Sequence, residues 1–107
     1  MLQTKDKVLT NYRVGLIGCG GRQNTHVSTF RQVGNCEIVA VTDWNQNVAD
    51  EFAEKHDIPA TYASADEMLQ KMDLDIVTIV TRPKWMYGPV MEVMNSDVKG
   101  VLMEKPF

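Results

Sequence analysis

Apolar residues along the chain fall into five short runs separated by amphipathic stretches. The runs cover residues 12–17, 37–42, 61–62, 75–80 and 100–103. Most are rich in β-branched residues and too short for helices, so they predict β-strands. They are continuous rather than alternating with polar residues, which is typical of parallel strands that are covered on both faces.

The intervening stretches show helical spacing, and the clearest ones carry start signals. We predict helices over 24–32, over 47–56, after residue 64 and over 86–95. Asn45 is a candidate N-cap for the second helix, and Ser64 with Glu67 matches a capping box for the third.

The fourth predicted helix contains a stripe of apolar side chains, Val90, Met91 and Met94. Met fills gaps in cores, so we expect this stripe to pack on the sheet. Because proline is tolerated in a first helical turn, Pro89 predicts that the helix begins near Gly88.

This order of elements predicts the fold class. Strands that alternate with helices imply right-handed crossovers and one parallel sheet. We therefore expect an α/β fold in which one parallel sheet is covered by helices, and a single domain.

Composition narrows the range of partners. The chain has 107 residues and a formal net charge of -3, and its basic residues are scattered, so we expect no nucleic-acid partner. No apolar run approaches the ~18 residues of a membrane span, and the polar first seven residues predict no secretory signal. Cys19 and Cys36 have no zinc-ligand spacing, so we expect no metal, reduced thiols and a cytoplasmic location.

A glycine-rich segment follows the first predicted strand. Gly18 and Gly20 form a G-x-G between a strand and a helix, the beginning of a dinucleotide fingerprint. The first glycine permits a tight turn, and the second lets the backbone approach a pyrophosphate at the helix N-terminus. The third fingerprint position holds Gln23, which predicts looser helix–strand packing. Neighbouring Arg22 either reaches a phosphate or a 2′-phosphate, or lies in solvent.

An acidic residue, Asp43, directly follows the second predicted strand. A carboxylate there can bind both ribose hydroxyls of an adenosine and repel a 2′-phosphate, which favours NAD over NADP. The alternative is that Asp43 only starts a turn or caps the next helix. Trp44 either lies against the adenine or packs on the loop.

These residues together resemble the N-terminal domain of the Gfo/Idh/MocA family, which includes glucose-fructose oxidoreductase and inositol dehydrogenase. The resemblance extends from Tyr12 to Phe107 and rests on four motifs. They are RVGLIGCGGR, EIVAVTD, DIVTIVTRP and VLMEKPF.

The resemblance implies an α/β, Rossmann-type doubly wound parallel sheet, with residues 1–107 forming one dinucleotide-binding domain that is truncated after the fifth strand. It also implies a cofactor site and a reaction. Gly18, Gly20, Gly21, Arg22 and Gln23 would line the pyrophosphate, and Asp43 would bind the adenosine ribose. Thr81, Arg82, Pro83, Glu104 and Lys105 would border the nicotinamide. Lys105 would be catalytic, steadying the reacting hydroxyl of a sugar or polyol during hydride transfer.

The resemblance has two departures with consequences. The histidine that the family often has near position 86 is replaced by the segment Lys84–Tyr87. The family's C-terminal substrate domain is absent, so we expect no dehydrogenase turnover from this chain alone and self-association through its last strand. We expect the parent protein to be a homo-oligomer.

Two other functions stay open. One is a non-catalytic dinucleotide-binding sensor of the same fold, which the missing histidine favours and Lys105 disfavours. The other is a methyltransferase-like domain, against which the Thr81–Pro83 turn and the Glu104–Pro106 ending argue.

Overall fold

The computed structural model of the chain describes residues 12–80, 83–94 and 96–103. In that part of the chain, strands and helices alternate throughout. They are β1 (Tyr12–Ile17), α1 (Gly21–Val33), β2 (Cys36–Thr42), α2 (Gln46–His56), β3 (Ala60–Tyr62), α3 (Ala65–Lys71), β4 (Ile76–Ile79), α4 (Pro83–Met94) and β5 (Gly100–Met103).

The strands form one sheet in the order β3-β2-β1-β4-β5. Every pairing is parallel, and central β1 pairs with both β2 and β4. The chain first winds outward to β3 and then crosses back over β1 to β4. This reversal defines a doubly wound sheet with its switch point between β1 and β4, where such folds bind ligands. The predicted fold class is confirmed.

Helices cover both faces of the sheet. Successive side chains of each strand point to opposite faces, and those on both faces are buried under helices. On one face, α1 and α2 contribute Val27, Phe52 and Ala53 to a core with the strands. On the other face, α3 and α4 contribute Met68 and Val93. Burial on both faces is the physical reason why the strands are continuous apolar runs.

The last helix begins earlier than its sequence pattern predicts. It begins at Pro83, not near Gly88, and Pro89 lies inside it. Pro83 suits the first helical position because its missing N–H would have no partner there in any case. The packing predicted for two residues of the apolar stripe is wrong, because Met91 and Met94 are 40% and 72% exposed while Val93 is buried. The side chain of Val90, the third residue of that stripe, is outside the described part of the structure.

The other boundaries differ by small shifts. Helix α1 begins at Gly21, immediately after the glycine turn, rather than at Asn24. Asn45 caps α2 through its side chain, and Ser64 caps α3 by accepting from the Glu67 N–H, as predicted.

Strand β5 is the exposed edge of the sheet. Its residues Val101, Leu102 and Met103 are each between 43% and 50% exposed. Self-association through this edge stays a prediction. None of the helices in the described ranges is both long and apolar enough to cross a membrane.

Candidate functional site

Those predicted site residues that follow β1 and β2, including Gly18, Gly20 and Asp43, lie at one edge of the sheet. In a parallel sheet all carboxyl ends of the strands lie on the same side, so the segments after β1, β2, β3 and β4 converge. The Gly18 N–H donates to the Thr42 carbonyl at 2.8 Å, and the Val80 N–H donates to the Ile17 carbonyl at 2.9 Å. These bonds hold the exits of three strands together.

The turn out of β1 requires glycine at position 18. Gly18 has φ +92°, a backbone conformation that residues with a side chain rarely adopt. A Cβ at this position would lie 1.9 Å from the Val80 carbonyl oxygen. The strand end and β4 therefore approach too closely for any side chain. The sequence predicted a tight turn here, and the structure adds the neighbour that imposes it.

Gly20 and Gly21 leave open space at the N-terminus of α1. Gly20 is the N-cap and makes no side-chain capping bond, and the first turn has no acidic residue. A Cβ on Gly21 would meet nothing within 4 Å, and one on Gly20 would meet only Val80 Cγ1, at 3.4 Å. An uncapped helix N-terminus with its backbone open to one side can bind an anion.

Asp43 lies beside this loop and is bonded to it. Its Oδ1 accepts from the Cys19 N–H at 2.9 Å, and its Oδ2 accepts from the Asn45 N–H at 3.0 Å. The turn-forming role is therefore observed, and the ribose-binding role of the same side chain stays a prediction. Because each carboxylate oxygen has two lone pairs, one on each oxygen remains for a hydroxyl donor.

The Gln23 side chain points into the core rather than toward the surface of the glycine loop. Its side chain is fully buried. Nε2 donates to the carbonyls of Gly18 at 2.9 Å and Ile17 at 3.3 Å, and Oε1 accepts from Thr78 Oγ1 at 2.6 Å. The side chain therefore does not line the surface of the loop as predicted, because its amide is buried between the end of β1 and Thr78 of β4. Looser packing between α1 and the sheet stays a prediction.

Thr78 is the site-supporting residue that the sequence reasoning missed. It is fully buried in β4. The available signal was the single hydroxyl within the apolar run DIVTIV, because a buried polar group needs a hydrogen-bond partner.

A cavity of about 230 Å³ adjoins Asp43. Trp44 borders it and is half exposed, and Arg22 is exposed on the first turn of α1. The lining residues are Ile17, Thr42, Asp43, Trp44, Ala63, Ser64, Ala65, Gly88, Pro89 and Glu92. The cavity joins the ends of β1, β2 and β3 to α4, and it offers both apolar surface and carboxylates.

The thiol of Cys19, in the glycine loop, has a raised pKa. Burial, with a smaller contribution from the Asp43 carboxylate, raises the pKa of Cys19 to about 12. A thiol that stays protonated is a poor nucleophile. Its side chain packs with the core on the α1–α2 face, and within the described ranges no cluster of His, Cys, Asp and Glu is arranged to bind a metal.

Several predicted site residues lie outside the described part of the chain. These are Thr81, Arg82, Glu104 and Lys105. Pro83 is described as the first residue of α4. The roles of all five stay predictions.

The fold and this edge define a dinucleotide-binding α/β domain, and comparison with known proteins gives its family. A family model described as an oxidoreductase family with an NAD-binding Rossmann fold, Gfo/Idh/MocA, matches residues 12–107. The chain belongs to this family, as its motifs predicted.

Individual relatives differ in activity. The chain is 35% identical over 103 residues to an alpha-N-acetylgalactosaminidase of Shewanella oneidensis, covering 88% of this chain and 22% of that protein. It is 31% identical over 96 residues to a trans-1,2-dihydrobenzene-1,2-diol dehydrogenase of Bos taurus, covering 88% and 28%. The chain thus spans less than a third of either relative.

A solved structure supports the same fold. The myo-inositol dehydrogenase from Lactobacillus casei, in complex with NAD(H) and myo-inositol, superposes with a TM-score of 0.82 at 27% identity. The match covers 91% of this chain and 29% of that one.

Proposed function

We propose that this chain binds NAD and is the cofactor-binding part of an oxidoreductase that moves hydride between nicotinamide and a sugar or polyol hydroxyl. The observation that carries the proposal is the 2.9 Å hydrogen bond between the Cys19 N–H and Asp43 Oδ1. It brings a ribose-binding carboxylate next to a phosphate-binding loop, the pairing that defines a dinucleotide site.

The described residues fit the two halves of an adenosine diphosphate group. The open backbone at Gly20 and Gly21, with the N-terminus of α1, suits the pyrophosphate. Exposed Arg22 supplies a cation at the same place. The free lone pairs of Asp43 suit the ribose hydroxyls, and the cavity beside Trp44 suits the adenine.

The charge at Asp43 supports NAD rather than NADP. A 2′-phosphate would replace one of the hydroxyl donors and bring negative charge to the carboxylate. None of the described residues that line the adjoining cavity is basic, and we assign the exposed Arg22 to the pyrophosphate rather than to a 2′-phosphate.

The reaction itself depends on residues that the structure does not describe. When bound, a nicotinamide dinucleotide accepts or donates hydride. We propose that Lys105 stabilises the negative charge that develops on the substrate hydroxyl, with Thr81, Arg82, Pro83 and Glu104 nearby. The inositol complexed with the Lactobacillus casei relative supports a polyol or sugar as substrate.

Calorimetric titration of the chain tests the cofactor assignment. We expect NAD+ to bind at least about tenfold more tightly than NADP+, and S-adenosylmethionine not to bind. Absence of NAD+ binding, or preference for S-adenosylmethionine, would overturn the proposal. The methyltransferase alternative is thereby tested in the same experiment.

A second candidate activity is supported by the glycosidase relative. At 35% identity over most of this chain, the alpha-N-acetylgalactosaminidase makes glycoside cleavage a candidate for the parent protein. Some glycoside hydrolases depend on NAD rather than on a carboxylate pair. NADH formation from free polyols would support a dehydrogenase, whereas release of the sugar from an aryl N-acetylgalactosaminide without net NADH would support the hydrolase.

A sensor without turnover is the remaining alternative. Lys105→Ala in the full-length protein separates it from an enzyme. In this variant a dehydrogenase should lose rate, whereas a sensor should keep its response to dinucleotide binding.

A further inference from the structure

The residue at the third fingerprint position is bonded to the turn out of β1 and to β4. Gln23 lies in the first turn of α1, and its side chain reaches back beneath the glycine turn to the end of β1. It is fully buried and uses both of its amide hydrogens and its carbonyl oxygen in bonds within the protein.

One peptide group is held from both sides. The Gly18 carbonyl accepts from Gln23 Nε2 at 2.9 Å, and the N–H of the same peptide, on Cys19, donates to Asp43 Oδ1 at 2.9 Å. In a trans peptide the C=O and N–H point in opposite directions. Fixing the carbonyl therefore fixes the direction in which the N–H meets Asp43.

The anchor of this arrangement lies in the sheet. Thr78 Oγ1 donates to Gln23 Oε1 at 2.6 Å across a separation of 55 residues. Thr78 is in β4, which pairs directly with β1. The amide is thus oriented by the strand that adjoins the switch point.

We propose that Gln23, oriented by Thr78, is a positioning residue that sets the Gly18–Cys19 peptide and thereby couples the phosphate loop to the ribose-binding carboxylate of Asp43. This inference rests on the proposed NAD binding. It makes an unintuitive prediction: restoring the fingerprint glycine at position 23 should weaken dinucleotide binding.

Glycine at position 23 should weaken binding because it leaves a buried carbonyl without a hydrogen-bond donor. Without the amide, the buried Gly18 carbonyl loses its partner, whereas the Ile17 carbonyl keeps the Val80 N–H. A buried carbonyl without a partner is costly, so the peptide is expected to rotate or admit water. Either change would release the Cys19 N–H from Asp43.

The experiment compares four variants at positions 23 and 78 with one control. Gln23→Gly and Gln23→Met remove the amide, Thr78→Val removes the hydroxyl and Thr78→Ser retains it. The control is Val77→Ala in the same strand, because Val77 is buried in the core on the opposite face of the sheet and should lower stability without touching the loop.

NAD+ affinity, measured by calorimetry well below the unfolding temperature, is the first readout. We expect Gln23→Met and Gln23→Gly to raise Kd about tenfold, and Thr78→Val several-fold, from the loss of one or two buried hydrogen bonds. Thr78→Ser and Val77→Ala should remain within about twofold of the unsubstituted chain. Asp43→Ala should also raise the Kd for NAD+ by a smaller factor in the Gln23→Met background than alone, because the effects of coupled residues are not additive.

Amide hydrogen exchange of Cys19 in the free protein is the second readout. It should accelerate in Gln23→Met and Thr78→Val relative to core amides, and not in Val77→Ala. Failure of the unsubstituted chain to bind NAD+ would overturn the proposed function alone, and Cys19 exchange would still decide the positioning role. If Gln23→Met and Gln23→Gly bind NAD+ as tightly as the unsubstituted chain, or if Cys19 exchange is unchanged in Gln23→Met, the inference is wrong.

Discussion

Three glycine-to-alanine substitutions separate the two reasons why Gly18 is required. Gly18 combines φ +92° with a Cβ position 1.9 Å from the Val80 carbonyl oxygen. Gly34 has φ +90° with nothing within 4 Å, and Gly21 has neither constraint. The series therefore measures backbone strain and steric overlap separately.

The magnitudes follow from these geometries. A left-handed backbone costs a residue with a side chain roughly 1–2 kcal/mol, which is all that Gly34→Ala should lose. Gly18→Ala has the same backbone strain and, in addition, an overlap of the new Cβ with the Val80 carbonyl oxygen. We expect relief of this overlap to break the bond from the Val80 N–H to the Ile17 carbonyl. The total loss in free energy of unfolding should be about 3 kcal/mol or more, a large share of the roughly 5–15 kcal/mol typical of a domain. Gly21→Ala should be neutral or stabilise by up to about 1 kcal/mol.

Urea unfolding at equilibrium is the assay. The midpoints should rank Gly21→Ala highest, then Gly34→Ala and then Gly18→Ala, with similar dependence of the free energy on urea. If Gly18→Ala loses no more stability than Gly34→Ala, the approach of Val80 does not constrain the turn and the reasoning is wrong.

Four further predictions concern the loop and the caps. Gly20→Ala should change the free energy of unfolding by no more than about 0.5 kcal/mol and raise the Kd for NAD+ about tenfold. An unchanged calorimetric Kd would contradict the assignment of the pyrophosphate to this backbone. Asp43→Ala should weaken NAD+ about tenfold or more and reduce the preference over NADP+, and parallel titrations with an undiminished preference would contradict the ribose assignment. The pKa of Cys19 is raised from an ordinary value of 9.0 to about 12, so its protonated thiol contributes stability that is present below pH 9 and lost as pH rises toward about 12. In a Cys36→Ser background, Cys19→Ala should therefore flatten the alkaline fall in unfolding free energy, and an equally steep fall would contradict the pKa. Ser64→Ala should cost about 1 kcal/mol in urea unfolding, since it removes the acceptor of the Glu67 N–H, and no loss would contradict the cap.

Local patterns were sufficient for most of the strands and helices. Runs of β-branched residues marked the strands, and side-chain caps at Asn45 and Ser64 marked two helix starts. The tight turn at Gly18 and the acid after β2 were also predictable, because both depend on where a strand ends. Their roles toward a ligand stay predictions. Lys105 was found only through the family resemblance, and its role stays a prediction.

The sequence by itself therefore determined an alternating α/β chain with a glycine loop and an acid at neighbouring strand ends, since these depend on residues close together in the chain. Tertiary structure alone decided which way Gln23 turns, because its partner Thr78 is 55 residues away. It also decided that Val80 excludes a side chain at Gly18 and that Met91 faces outward from α4. Such outcomes depend on which strands become neighbours, and contacts between distant segments leave no periodic trace in the sequence.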